Sequence, residues 1–131
     1  MAGYVLGPGE GQAFGFHGAT VVMKATGAAT LGQLAVIESV YPAGLSVREH
    51  VHHGEDEMFY LLAGQLSVFC EEHIWTAVPG SFVFVARGQR HGFLVAGAEP
   101  ARALVITGPP RLDQQIAARA EPPPAAASPR R

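Results

Sequence analysis

From residue 20 onward the chain sets short apolar-rich runs apart with glycine, proline or acidic residues, over residues 20–24, 33–41, 58–62, 65–70, 74–78, 81–86, 91–96 and 102–107. Side chains that alternate with a period of two mark strands with one buried face. Short strands at such even spacing predict an all-β sandwich or barrel. Ala63-Gly64 and Glu71-Glu72-His73 read as hairpin connections, and Pro42-Ala43-Gly44 breaks the chain before the segment that carries half of its histidines. The period changes after Pro109-Pro110: Leu112 and Ile116 share a face at i and i+4, which predicts a short helix over residues 111–120, packed outside the strands. Residues 1–19 are glycine-rich and predict an N-terminal arm, irregular or paired at an edge. Residues 121–131, mostly proline and alanine, have too few large apolar groups to offset their ordering entropy and predict a disordered tail.

Composition narrows the picture. A chain of 131 residues with 48% hydrophobic content fits one domain, here residues 20–110, with a core of useful size. A net charge of -2, with nine scattered Lys and Arg, offers no basic stripe for phosphate backbones, so nucleic acid is not an expected partner. No apolar run approaches the roughly 20 residues that span a bilayer, and the start has neither a basic cluster nor an apolar signal core. Cytoplasm is therefore the expected compartment, without a membrane partner. Cys70 is the sole cysteine, which rules out an intrachain disulfide and predicts a small buried hydrophobe within its strand.

The chemistry concentrates at His50, His52, Glu57 and His91. On a strand His50 and His52 turn to one face while Val51 and His53 turn away. The His53-Gly54-Glu55-Asp56 stretch lets the chain reverse and present Glu57 from the next strand, and His91 follows the turn around Gly88. Three neutral imidazoles and a carboxylate suit one divalent transition metal, whether iron, manganese, nickel, cobalt, copper or zinc, with coordination positions left for substrate. His17, His53 and His73 have no partners at ligand spacing and read as ordinary side chains. If Glu57 points inward, Phe59 and Leu61 share its face, as Phe93 and Val95 share that of His91; Phe59, Leu61 and Phe93 are candidate pocket walls. Arg48 shares the phase of His50 by simple alternation and could reach the mouth of such a pocket, while Met58, Tyr60 and Leu62 form an outward row that suits a partner surface.

These residues carry a resemblance. The pattern Gly-x5-His-x-His-x4-Glu-x6-Gly of the cupin family is matched in full at Gly44, His50, His52, Glu57 and Gly64. The second cupin pattern, Gly-x5-Pro-x-Gly-x2-His-x3-Asn, is matched at Gly80, Gly88 and His91, with Ala86 at the proline and Val95 at the asparagine. The chain resembles small single-domain cupins similar to quercetin dioxygenase over roughly residues 32–108. The resemblance implies a double-stranded β-helix barrel, a metal held by His50, His52, Glu57 and His91, and a dimer of identical chains. It also implies a metal-dependent enzyme, in the first place a dioxygenase acting on an aromatic or enolisable small molecule, with Glu57 as ligand and general base. A redox-neutral isomerase, cyclase or lyase and a non-catalytic ligand-binding cupin are the alternatives.

Overall fold

The computed structural model describes residues 2–123, in which the alternating runs become strands. In chain order these are β1 (Gln12–Phe16), β2 (Ala19–Ala25), β3 (Ala35–Tyr41), β4 (Ser46–Val51), β5 (Asp56–Ala63), β6 (Gln65–Cys70), β7 (His73–Ala77), β8 (Phe82–Val85), β9 (Arg90–Ala96) and β10 (Ala101–Gly108), followed by helix α1 (Leu112–Arg119). Two antiparallel sheets form, one in the order β1-β2-β3-β10-β5-β8 and the other β4-β9-β6-β7. The architecture is the expected all-β one, its barrel built as two facing sheets with a short C-terminal helix.

Alternation decides what fills the interior. Ile37 and Tyr41 from β3, Phe59 and Leu61 from β5, Leu66 and Val68 from β6, and Phe93 and Val95 from β9 all join one buried cluster. Cys70 joins it too, facing His91 across the β6–β9 ladder, and burial pushes its thiol up from the ordinary range. Among the described residues no helix is long and apolar enough to cross a membrane.

Two expectations need correction and two gain detail. Of the two forms expected for the N-terminal arm, the edge pairing is found, since β1 forms a hairpin with β2 through His17-Gly18 at the edge of the larger sheet. The break at Ala63-Gly64 is not a hairpin: β5 lies in one sheet and β6 in the other, so the chain crosses between sheets there. A Cβ at Gly64 would meet Ala101 Cα at 2.6 Å, which explains why glycine makes that crossing. Helix α1 packs on the strands through one face, with Leu112, Asp113 and Ile116 buried and its remaining residues exposed, and Leu112 and Ile116 extend the core cluster. Finally Glu121, expected to begin a disordered tail, pairs with Gly15: the Gly15 amide donates to the Glu121 carbonyl at 2.6 Å and the Glu121 amide to the Gly15 carbonyl at 2.9 Å. The lack of a side chain at Gly15 allows that approach, since a Cβ there would collide with the backbone of Pro122. The remainder of the expected tail, residues 124–131, lies outside the described residues.

Candidate metal centre

Three elements and one turn bring the four candidate ligands together. His50 ends the inward run of β4, His52 follows that strand directly, Glu57 opens β5 and His91 opens β9. Their nearest donor atoms all lie within 4.8 Å of one another. Bonds of about 2.0–2.2 Å from one metal to nitrogen and carboxylate oxygen need donors about 3–4 Å apart, so only a small contraction separates this arrangement from coordination. Glu57 is already central: its Oε1 lies 3.0 Å from His91 Nε2 and 3.8 Å from His52 Nε2.

The opposite edge of each ring fits the same reading. His50 Nδ1 lies 2.8 Å from the Arg48 carbonyl oxygen and His91 Nδ1 lies 3.0 Å from the Gln89 carbonyl oxygen, both as donors in the Nδ1–H tautomer. His52 Nδ1 faces a carboxylate oxygen of Glu55 at 3.6 Å. A partner on Nδ1 fixes the tautomer and leaves Nε2 as the basic nitrogen, which is how metal-binding histidines are held. The donor set therefore fits a divalent transition metal.

A bulge sets the phase of β4. Val47 pairs with Phe93 and His50 with His91, so Arg48 and Glu49 on β4 oppose the single Gly92 on β9. The expected link in phase between Arg48 and His50 is thereby broken, and Val47 faces inward with His50. Arg48 stays exposed at the rim of the cavity, while its carbonyl serves His50. The bulge presses against Gly92, where a Cβ would meet Val47 O at 2.6 Å, Phe69 Cε2 at 2.9 Å and the Arg48 carbonyl carbon at 3.0 Å.

The turn before His91 departs from the cupin pattern in a way its contacts explain. Ala86 keeps an amide that proline would lack, and that amide donates to Gln89 Oε1 at 2.9 Å, while the Gln89 amide returns to the Ala86 carbonyl at 3.2 Å. The same turn reaches the first motif, since the Gly88 amide, at a φ of 87°, donates to the His52 carbonyl at 2.8 Å. Arg87 adds a forked pair to Asp56, with Nε–Oδ1 and Nη2–Oδ2 distances of 3.2 Å each. Val95, at the asparagine position, is simply core. Gln89→Ala should loosen this turn at a cost of about 1 kcal/mol, and thermal unfolding that shows no change would contradict that role.

Beside the ligands lies a cavity of about 500 Å³. Phe59 and Phe93, with ring centroids 5.9 Å apart, line it as expected. Leu61 does not: one step further along the inner face of β5, it is buried in the core below Phe59. Tyr41 and Ser39 were not foreseen. Both are buried in the wall, and Tyr41 packs edge-on against Phe93 at 4.9 Å. Burial raises the Tyr41 phenol far above its ordinary range, against the pull of the Ser39 hydroxyl and with help from Glu57, so it stays protonated. A buried tyrosine in a strand carries no sequence signal that separates it from plain core. His17 sits exposed at the cavity mouth, His53 is exposed, and His73 stacks on Trp75 at 5.8 Å.

The electrostatics carry a pH signature. Burial opposes protonation of His91, but the Glu57 carboxylate and the Gln89 carbonyl outweigh it and hold this imidazole above its ordinary range. Burial pulls His52 below that range, against the attraction of Glu57. Without metal, the raised His91 contributes stability below about pH 6.5 that is lost as pH rises through its own higher pKa. A metal must displace that proton, so its stabilising effect should grow with pH over the same window. The expected result is a rise in melting temperature with zinc that increases from about pH 5.5 to about pH 7.5. A rise independent of pH would contradict proton competition at His91.

Comparison with known proteins agrees with this geometry. The Cupin domain family model matches residues 36–107, more than half of the chain. No curated protein matches it. Among solved structures, an RmlC-like cupin from Shewanella frigidimarina superposes with a TM-score of 0.70 at 16% identity, covering 87% of this chain and 96% of that one. KdgF from Halomonas sp. gives 0.66 at 18% identity, covering 74% and 85%, and a predicted oxalate decarboxylase from Thermotoga maritima gives 0.64 at 21%, covering 74% and 90%. With both motifs converging on one four-ligand cluster inside this fold, the chain belongs to the cupin family.

Proposed function

We propose that this cupin is a metal-dependent enzyme for a small organic substrate, in the first place a quercetinase-like dioxygenase of an aromatic or enolisable compound. One observation carries the reading: the cluster of three histidines and Glu57 opens onto a largely apolar cavity of a size that suits such a molecule. His50, His52 and His91 would hold one divalent metal with Glu57, and a redox-active ion there supplies a site at which substrate oxygen and dioxygen can be activated. Phe59 and Phe93 offer an apolar wall against which an aromatic ring can pack away from water. Glu57 accepts the proton of a substrate hydroxyl as general base, within reach of the His91 ring that would stabilise it.

The second reading, a redox-neutral isomerase, cyclase or lyase, is favoured by Tyr41. A phenol kept neutral in the cavity wall can donate a hydrogen bond to negative charge that develops on a substrate oxygen, as metal-assisted enolisation needs. Reconstitution with iron, manganese, cobalt, nickel, copper or zinc, followed by a screen of flavonols, catechols and β-dicarbonyls, separates the two. Oxygen uptake with at least one redox-active ion is expected. Equal turnover with zinc and no oxygen uptake would favour the second reading, and tight binding without turnover under any ion would leave a ligand-binding cupin.

A homodimer in the cytoplasm is part of the proposal. The outer face of the larger sheet shows Tyr60 paired with Phe82 and Met58 with Phe84, and Tyr60, Phe82 and Phe84 are 43%, 59% and 48% exposed. An apolar row of that kind suits the same face of a second copy. Sedimentation at micromolar concentration should give twice the chain mass, and Phe84→Glu should reduce it to a monomer; a monomeric wild type would contradict the dimer.

A further inference from the structure

Glu55 stands between the ligand cluster and the helix that helps to line the cavity. We propose that this residue is a positioning carboxylate that couples metal occupancy at the four-ligand site to the docking of α1 over the cavity. The inference rests on the metal reading above and adds a mechanical partner to it.

Glu55 lies in the turn between β4 and β5 and is 2% exposed. Its two oxygens serve different parts of the chain. Oε1 faces His52 Nδ1 at 3.6 Å, and Oε2 accepts the amide of Leu112 at 3.3 Å. Leu112 is the first residue of α1, and Arg111 before it offers no side-chain cap. The first amides of a helix need acceptors, and an anion at that end also meets the positive end of the helix dipole. Glu55 thus does from 57 residues away what a local capping side chain does elsewhere.

The two turns are pressed together beyond this one bond. A Cβ at Gly54 would meet Arg111 Nε at 2.6 Å, so the chain just before Glu55 rests against the side chain that precedes α1. Helix α1 in turn supplies Leu112, Gln115 and Ile116 to the cavity wall. A metal on His52 Nε2 fixes the ring and aims its Nδ1–H at Glu55, which steadies the carboxylate that caps the helix. Linkage makes the effect reciprocal: a seated helix holds Glu55 in place and favours the metal-binding pose of His52. Loss of the metal then loosens the wall of the cavity as well as its chemistry.

The test combines zinc titration by calorimetry with amide hydrogen exchange on the whole protein, wild type and Glu55→Gln. In the wild type, zinc should slow exchange across residues 112–119 by a larger factor than at Val68 in β6, which reports general stabilisation. In Glu55→Gln, zinc affinity should fall by about 10–100-fold and the extra slowing at the helix should vanish. Should this variant fail to fold, the wild-type exchange data decide alone. No zinc uptake by the wild type would overturn the metal reading and this inference with it. Zinc uptake with exchange at α1 slowed no more than at Val68, or a folded Glu55→Gln with wild-type affinity, would overturn the inference only.

Discussion

His91→Ala should lower affinity for zinc or cobalt by more than about 100-fold and also destabilise the metal-free protein, two effects that separate only because His91 has two partners. The first follows from the loss of a donor, since removal of a mere supporting residue already costs about 10–100-fold. The second follows from burial. Glu57 is 7% exposed, and its Oε1 has His91 Nε2 at 3.0 Å as its nearest partner, so alanine would leave a buried carboxylate short of a donor. Leaving a buried charged group in that state costs about 3 kcal/mol or more, whereas Glu57→Gln keeps a polar partner for His91 and should cost less. Calorimetric titration and thermal unfolding of both variants check the two effects. A His91→Ala protein that unfolds as late as wild type without metal would mean that Glu57 finds other partners.

Gly92→Val should damage the site without touching a single ligand. A glycine replaced at ordinary φ gains about 0.4–1 kcal/mol from the unfolded chain, but here the incoming carbon meets two backbone atoms of the β4 bulge that cannot rotate away. Overpacking of that kind costs about 1–3 kcal/mol, so the steric cost wins. The strain falls on Val47 and Arg48, and with it moves the carbonyl that orients His50. Metal affinity should therefore fall together with stability. A melting temperature at or above that of wild type would show that β4 and β9 have room to part.

Period and spacing made the strands and the ligand cluster legible in the sequence, because both depend on local rules. Alternation placed Phe59, Phe93 and the outward Tyr60 correctly, and the His-x-His step needs only a strand or its end. The rest depended on long-range contacts. The β4 bulge, which overturned the phase of Arg48, arises where β4 meets β9 and leaves no trace in the pattern of β4 itself. The crossing at Gly64 uses the same residue types as a hairpin, so composition could not tell one from the other. Helix α1 was legible as a helix, yet where its buried face packs depends on β1, β3 and Glu55. Glu55 itself read as part of an acidic turn. A carboxylate three residues after a ligand histidine is the one signal that could have marked it.

The account stands on one divalent metal per chain at His50, His52, Glu57 and His91, and elemental analysis of the dialysed protein, loaded with cobalt or zinc, tests it most directly. Wild type and His53→Ala should each retain one equivalent, because His53 is exposed and turned away from the cluster, whereas His52→Ala should retain almost none. Retention by His52→Ala with loss in His53→Ala, or no retained metal in the wild type, would contradict the account.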